Sequence, residues 1–246
     1  MIRSSILTAL AAASCLGLAP CALAHEVQPM IVNVTPSGAA SSYRLMVRNT
    51  DAKPITLEIS PLRVLVDDTG TARRAPELAD VILFPPQTLV NPGQEQAIQV
   101  RYVGDPAIKE GRVYAILVSQ LPIDFTSVGN DDNSTTKIKV GFDFVSHMVV
   151  QPPSAVPNLN ITSVQRQPNG EIRFDVLNTG NGVALLRSAQ WILKSSTGKT
   201  LTVPADSVSF GKFGAILPGG RRSMTISAAL VSELKNDVTV AIALKQ

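Results

Sequence analysis

The sequence predicts an all-β protein made of two tandem immunoglobulin-like β-sandwich domains. Short runs in which apolar and polar residues alternate recur along the chain, and each is typical of a half-buried strand. No convincing helical period is present beyond the first 24 residues. The segment from Gln151 to Pro157 holds three prolines in seven residues and divides the chain into two parts of domain size.

The first residues have the composition of a secretory signal peptide. Arg3 gives a basic start, and the apolar run from Ile6 to Leu18 is too short to span a bilayer. Ala22-Leu23-Ala24 fits the small-x-small rule for cleavage. We therefore expect residues 1–24 to be removed, the mature chain to begin at His25, and the protein to reside in the periplasm.

The composition of the remaining chain excludes several classes. Both cysteines, Cys15 and Cys21, lie in the leader, so no disulfide is expected in the mature chain. No later apolar run approaches the roughly 18 residues of a membrane span, so no integral membrane segment is expected. Removing Arg3 from the 22 Lys and Arg leaves 21 against 19 Asp and Glu. Since no basic run with interleaved aromatics is present, nucleic acid is not expected as a partner.

The first domain is predicted over residues 25–151, and residues 152–157 form a proline-rich linker. Pro85-Pro86 ends a strand because proline has no amide to donate, and Pro92-Gly93 marks a turn. Seven strands are predicted, the number in an immunoglobulin-like sandwich. They are Val27–Thr35, Tyr43–Arg48, Ile55–Val66, Asp80–Phe84, Ala97–Val103, Arg112–Gln120 and Lys137–Val150.

The second domain is predicted over residues 158–246. A faint internal repeat favours one plan used twice, because Asn49-Thr50 and Asn178-Thr179 each end a strand. A Pro-Gly turn follows in each half, and its glycine lies 44 residues after Asn49 and 41 residues after Asn178. The predicted strands are Leu159–Gln165, Glu171–Asn178, Val183–Lys194, Thr200–Val203, Arg222–Ala228 and Asp237–Leu244.

The last strand of the first domain carries a long apolar row. Ile138, Val140, Phe142 and Phe144 fall on one face at period two, and a polar, turn-rich segment precedes them. Such a row either fills the domain's own core or is lent to another protein by strand addition. Alternation alone favours the core. The length of the row, its two phenylalanines and its end at the linker favour strand addition.

Catalysis and cofactors are not expected. The sequence has no nucleophile elbow, no phosphate-binding glycine loop and no zinc-protease motif, and its carboxylates form no obvious pair. An N-terminal His25 offers an amine and an imidazole, and His147 could complete a copper site. However, 122 positions separate the two histidines without any ligand spacing, so we favour His25 as simply the first residue after cleavage and expect no metal site.

Four stretches share the pattern of one protein family. The first stretch contains Pro-Pro, then Pro-Gly, then Arg. The second is a strand that starts at Tyr and ends in Leu-Pro. The third is a strand that ends in Asn, and the fourth is a long strand that ends at a proline. In these stretches the chain resembles a divergent branch of the periplasmic pilus chaperones of the chaperone–usher pathway, the PapD-like family. The stretches are Phe84–Arg101, Tyr114–Pro122, Tyr43–Asn49 and Thr136–Pro152.

The resemblance implies a non-catalytic chaperone with two immunoglobulin-like domains set in a boomerang. Such chaperones lend their last first-domain strand to a pilin or fimbrial subunit that lacks one, by donor-strand complementation. They then deliver the subunit to an outer-membrane usher. Ile138, Val140, Phe142 and Phe144 would fill the subunit's groove, whose open edge otherwise aggregates. A structural fimbrial subunit is the alternative, and two complete domains argue against it.

The resemblance also implies a cationic anchor for the subunit's C-terminal carboxylate. Family members use an Arg on the first strand and a Lys near the end of the donor strand. Here Val27–Thr35 contains neither, and the Lys position falls near His147. Arg101 is our first candidate, because it follows the Pro-Gly turn. His147 is second, by its place in the donor strand, but its ordinary pKa of about 6.5 makes it a poor fixed cation at neutral pH, and Arg44 is a further possible source of the charge.

Overall fold

The computed structural model describes residues 25–121, 141–234 and 237–244. It shows two immunoglobulin-like sandwiches, as the sequence predicts. The strands described in the first domain are β1 (Glu26–Gln28), β2 (Ile31–Val34), β3 (Ser42–Arg48), β4 (Ile55–Val66), β5 (Ala72–Pro76), β6 (Val81–Phe84), β7 (Gln87–Val90), β8 (Glu95–Tyr102), β9 (Arg112–Leu121) and β10 (Asp143–Val150). A 3-10 turn, Ala39–Ser41, precedes β3.

Two sheets enclose the core of the first domain. One has the strand order β1-β3-β8-β6, and the other has the order β2-β10-β9-β4-β5, with β7 paired to β4. In β8 the alternation is regular, since Ile98, Val100 and Tyr102 are buried while Gln99 and Arg101 point outward and are exposed. The apolar run Val113–Ile116 of β9 is buried on both faces. Both faces are covered because the outer face of β9 packs against the second domain.

The prediction of one continuous first strand, Val27–Thr35, is wrong. The strand breaks at Pro29 into β1 and β2, which belong to different sheets. Proline cannot donate to a ladder, so Pro29 is a natural point for the chain to change sheets. The sequence prediction also missed β5 and β7, which pair with the two halves of the long strand β4. The Ala-Arg-Arg-Ala-Pro segment of β5 has no apolar alternation that could reveal it.

The second domain has a core around Trp191 and Phe174, whose ring centroids lie 5.2 Å apart. Its strands are β11 (Leu159–Arg166), β12 (Ile172–Asn178), β13 (Ala184–Leu185), β14 (Ala189–Ser195), β15 (Thr200–Pro204), β16 (Val208–Ser209), β17 (Ala215–Ile216), β18 (Arg221–Ile226) and β19 (Val238–Leu244). Their orders are β11-β12-β18-β16, β13-β17 and β15-β14-β19. The 3-10 turns Leu186–Ser188 and Ala205–Ser207 and the helix α1 (Ala228–Val231) connect strands.

The predicted strand Val183–Lys194 is interrupted by the 3-10 turn at Leu186–Ser188. Leu186 of this turn is fully buried in the core of the second domain. Strands β16 and β17, each of two residues, were not predicted because they are too short to show a period. Among the described residues no helix has the length and apolar character needed to cross a bilayer.

The internal repeat corresponds to a repeated structural corner. Asn49 and Asn178 are fully buried, and each side-chain amide donates to two backbone carbonyls. The backbone carbonyls of the same asparagines accept from Gly93 N at 2.8 Å and Gly219 N at 2.9 Å. Both glycines have φ of 71°, where a side chain is strained. Each half therefore ties a strand end to a Pro-Gly turn by the same set of bonds.

Candidate functional site

In the described part of the chain, strand β10 is paired with a neighbouring strand along the whole of one edge but along only half of its other edge. It pairs with β9 along its whole length, from Asp143 to Val150. On the other side the parallel partner β2 pairs only with His147 to Val150, and the backbone amide of His147 donates to Met30 O at 2.8 Å. Among the described residues no strand pairs with that side before His147. An unpaired edge of this kind is a template for an added strand.

Two members of the predicted apolar row stand at this open edge. Phe142 and Phe144 are half-buried on one face, with ring centroids 5.0 Å apart, and both pack against the core of the first domain. The backbone carbonyl of Phe142 accepts from Gln120 N at 3.0 Å, which continues the pairing with β9. Ile138 and Val140 lie outside the described residues. The row therefore contributes to the domain's own core and remains partly exposed at its edge.

The two histidines do not form a joint site. The His25 ring lies against Phe142, with centroids 4.1 Å apart, while the His147 ring lies against Phe213 at 5.3 Å. Phe142 and His147 are five residues apart, about 17 Å at the strand rise of about 3.3 Å per residue. Among the described residues no group of three or more His, Cys, Asp or Glu is placed to hold a metal ion.

The outer face of β10 packs against the second domain. Val149, with Val113 and Ala115 of β9, joins Val183 and Ala215 of the second domain in one buried apolar cluster. His147 lies on the same face as Val149, because two residues separate them along the strand. The candidate anchor His147 is thus at the boundary between the domains.

A cavity of about 220 Å³ opens beside His147 at this boundary. Ile31, Leu185 and Phe213 give it apolar walls, and the exposed cations Arg187 and Lys212 of the second domain also line it. Neither cation was a candidate from the sequence, because no local motif marks a residue that joins a candidate site only through domain packing.

The imidazole of His147 is held in its neutral form. Burial lowers its pKa, and the positive charge of Arg74 lowers it further. Its Nε2 atom is buried and has no hydrogen-bond partner among the described residues. His147 is therefore a neutral polar group at neutral pH, not a fixed cation.

Arg101 lies elsewhere. It is exposed on the outer face of the β1-β3-β8-β6 sheet, where its register partners are Ser42 and Ile82. His147 is on the outer face of the opposite sheet, so the two anchor candidates cannot act on one carboxylate.

The low pKa of His147 predicts a pH-dependent stability. Protonation favours the unfolded chain, where the histidine pKa is about 6.5, so the stabilising contribution is complete above that pH and is lost as the pH falls below it. We expect the urea midpoint of the wild type to fall more between pH 6.5 and 5.5 than that of His147→Gln. Equal falls in both proteins would contradict the assignment, since the two proteins differ only at residue 147.

The turn between β4 and β5 docks onto the second domain. Gly70 O accepts from Phe213 N, and Asp68 O accepts from Ser223 N, both at 3.1 Å. Behind this contact the buried guanidinium of Arg222 donates to Phe210 O and Phe213 O at 2.7 Å and to Ala215 O at 2.9 Å. Arg222 thereby fixes the 210–215 segment, which also forms one wall of the cavity.

A second contact joins the domains on the other side of β9. Gly111 N donates to Asn181 O at 2.8 Å, and Asn181 Nδ2 donates to Lys109 O at 3.1 Å. Val183 N donates to Gln151 Oε1 at 3.1 Å. These bonds and the apolar cluster join the two domains through residues other than the linker prolines.

Gly211 provides a test of the docked turn. A Cβ at Gly211 would lie 2.3 Å from Thr69 O, whereas a Cβ at Gly198 would meet nothing within 4 Å, and the two residues have φ of 85° and 88°. We expect Gly211→Ala to widen the range of shapes measured by small-angle scattering. Gly198→Ala, which carries the same backbone penalty of about 1 kcal/mol, is expected to leave it unchanged.

The linker is tested in the same measurement. The prolines alone predict a restricted angle that is lost when residues 151–157 are replaced by Gly and Ser. If the linker replacement widens the range of shapes and Gly211→Ala leaves it unchanged, the linker and not the docked turn sets the angle between the domains.

Comparison with solved structures places this geometry in a known fold. The class 5 fimbriae chaperone CfaA has a TM-score of 0.58 at 13% identity, with 91% of this chain and 93% of that chain covered. The E. coli chaperone DraB has a TM-score of 0.53 at 16% identity, with coverage of 83% and 85%. The chain has the fold of the pilus chaperones.

A complex provides a further match. A chain of the CsuC–CsuE chaperone–tip adhesion subunit pre-assembly complex, from the archaic chaperone–usher Csu pili of Acinetobacter baumannii, has a TM-score of 0.55 at 14% identity. It covers 83% of this chain and 88% of that chain. No protein-family model and no curated protein matches the sequence.

Proposed function

We propose that the chain is a periplasmic chaperone that captures pilin or fimbrial subunits by donor-strand complementation and delivers them to an outer-membrane usher. The observation that carries this proposal is the edge of β10, which has no partner strand before His147 among the described residues. The half-buried Phe142 and Phe144 stand on that edge. The fold shared with CfaA and DraB supports it.

The physical basis is the completion of a second sandwich. A subunit that lacks one strand exposes an apolar groove and two unpaired edges, and both are prone to aggregation. The β10 edge would satisfy the main-chain hydrogen bonds of the groove, and the row of Ile138, Val140, Phe142 and Phe144 would fill it at period two. No cofactor or nucleotide is needed, because the subunit is released when its final partner strand replaces the donated one.

The cavity at the domain boundary suits the end of the captured subunit. A donated strand that slips by two residues keeps the same face in the groove, so the row alone does not fix the register. A C-terminal carboxylate bound by Arg187 and Lys212 would fix it, since only one register would bring the carboxylate to these two cations. The neutral His147 would add one hydrogen bond through its unpartnered Nε2. Arg101, our first candidate from the sequence, lies on the outer face of the opposite sheet and takes no part in this proposal.

The experiment is capture in the periplasm followed by mapping of the bound surface. The tagged chain is expressed in its own cells, the co-purified protein is identified by mass spectrometry, and amide exchange is compared with and without it. We expect a small β-rich partner and slower exchange at the amides of Gly141, Asp143 and Val145, which point to the same side of the strand as the His147 amide and would become hydrogen-bonded. A partner that protects the outer face of the β1-β3-β8-β6 sheet and leaves 141–146 unchanged would overturn the proposal.

A further inference from the structure

His25 has an unusual combination of burial and unpaired chemistry. Its side chain is only 8% exposed, and its ring is covered by Phe142. Its Nδ1 atom is buried and has no hydrogen-bond partner among the described residues. A buried polar atom without a partner costs free energy, so such an atom calls for a ligand.

The other ring nitrogen is already oriented. Nε2 of His25 lies 3.0 Å from Oδ2 of Asp51. In the neutral imidazole one nitrogen carries the proton and the other carries a lone pair. Because a carboxylate accepts only from a protonated nitrogen, Asp51 holds a proton on Nε2, and the nitrogen that can give up its proton or offer a lone pair to a metal ion is Nδ1. A carboxylate that accepts from the far nitrogen orients the ring of many metal-bound histidines in proteins.

A second donor is supplied by the covalent structure of the same residue. Cleavage after Ala24, which the leader sequence predicts, converts the backbone nitrogen of His25 into a free amine. The amine and Nδ1 are linked through Cα, Cβ and Cγ, so one metal ion bound to both closes a six-membered ring. We propose that the mature N-terminus binds one Cu²⁺ ion through the amine and Nδ1 of His25, with Asp51 as the orienting group.

Copper is favoured by the donor set. Nitrogen donors bind Cu²⁺ more strongly than the other first-row divalent ions, and imidazole with amine suits its square-planar preference. The site differs from the two-histidine site considered from the sequence, because His147 is at the domain boundary and takes no part. It rests on cleavage before His25 and not on the chaperone function, so each can fail without the other.

The test uses the mature chain isolated from the periplasm and CuCl₂ as the probe. Mass spectrometry first establishes that the chain begins at His25. Calorimetric titration is expected to give one Cu²⁺ per chain, and electron paramagnetic resonance is expected to show coupling to two nitrogens. A chain that begins at another residue, or coupling to one nitrogen only, would overturn the proposal.

Three variants separate this site from other copper binding. Inserting Gly-Ser-Gly-Ser-Gly between Ala24 and His25 keeps the imidazole but moves the amine away, and it should remove the two-nitrogen signal. Asp51→Asn should weaken binding by about tenfold, the effect expected of a lost orienting carboxylate. His147→Ala should bind as the wild type does. Unchanged binding by the inserted chain, or loss of binding in His147→Ala, would overturn the assignment, and thermal melts confirm that each variant is folded.

Discussion

Replacing Phe142 by aspartate is expected to abolish subunit capture while both sandwiches stay folded. Phe142 is half-buried and lies just before β10 at the open edge, so in the free protein a carboxylate there can turn toward water. In the proposed complex the same position would be enclosed by the subunit's groove, where an unpaired carboxylate is strongly unfavourable. We expect a loss of at least about 2 kcal/mol, roughly 30-fold in Kd.

The measurement combines circular dichroism and thermal melts with a pull-down of the subunit identified in the periplasm. Asp143→Asn is the matched control, because Asp143 is exposed and points to the opposite face of the same strand. Phe142→Leu should keep both fold and capture, since it preserves an apolar side chain. Loss of fold together with capture would make the row ordinary core, and full capture by the folded Phe142→Asp protein would remove it from the binding surface.

The contact of Phe142 with His25 requires one further control. His25→Ala removes the ring that stacks on Phe142 but leaves the apolar row intact. It should therefore retain capture. If it loses capture as Phe142→Asp does, the effect belongs to the packing of the N-terminus and not to the donated strand.

Regular alternation made much of the fold predictable. Ile55–Val66 was predicted with the bounds of β4, and β3, β8, β9 and β12 were each found within two residues at either end. In β3, β4, β8 and β12 one face is buried in a core, so the sequence carries the period directly, whereas β9 is a continuous apolar run because both of its faces are covered. The prediction of one continuous first strand was wrong because Pro29 lies inside an apolar run whose two halves belong to different sheets. Strand β5 was not predicted because it is nearly all exposed and needs no apolar residues.

The site was predictable only where it is local. Phe142 and Phe144 follow from period two, whereas Arg187 and Lys212 meet His147 only because two domains pack together. Arg222 is an intermediate case. It occupies an inward position of β18, in alternation with Met224 and Ile226, which are buried. A charged residue at an inward position could have predicted from the sequence that this side chain forms buried hydrogen bonds.

The double variant Arg187→Glu with Lys212→Glu reverses the two charges that line the cavity at the domain boundary. It is expected to weaken subunit binding by about tenfold. Both side chains are exposed, so each contact with a carboxylate contributes at most about 1 kcal/mol, and two together give about 1.4 kcal/mol. The loss should be larger at low salt, because exposed charge pairs are screened. Arg101→Glu is the matched control, since it reverses an exposed charge on the opposite sheet and should bind as the wild type does.

The pH dependence of binding then distinguishes the cations from His147. Burial and the positive charge of Arg74 lower the pKa of His147, so this residue gains less charge between pH 7.5 and 6.5 than an ordinary histidine does. Binding should therefore be flat over that range in the wild type. Binding that strengthens as the pH falls, and that loses this dependence in His147→Gln, would instead make a protonated His147 the anchor. Loss of binding in Arg101→Glu with the double variant unaffected would move the anchor to the other sheet and leave the cavity without this role.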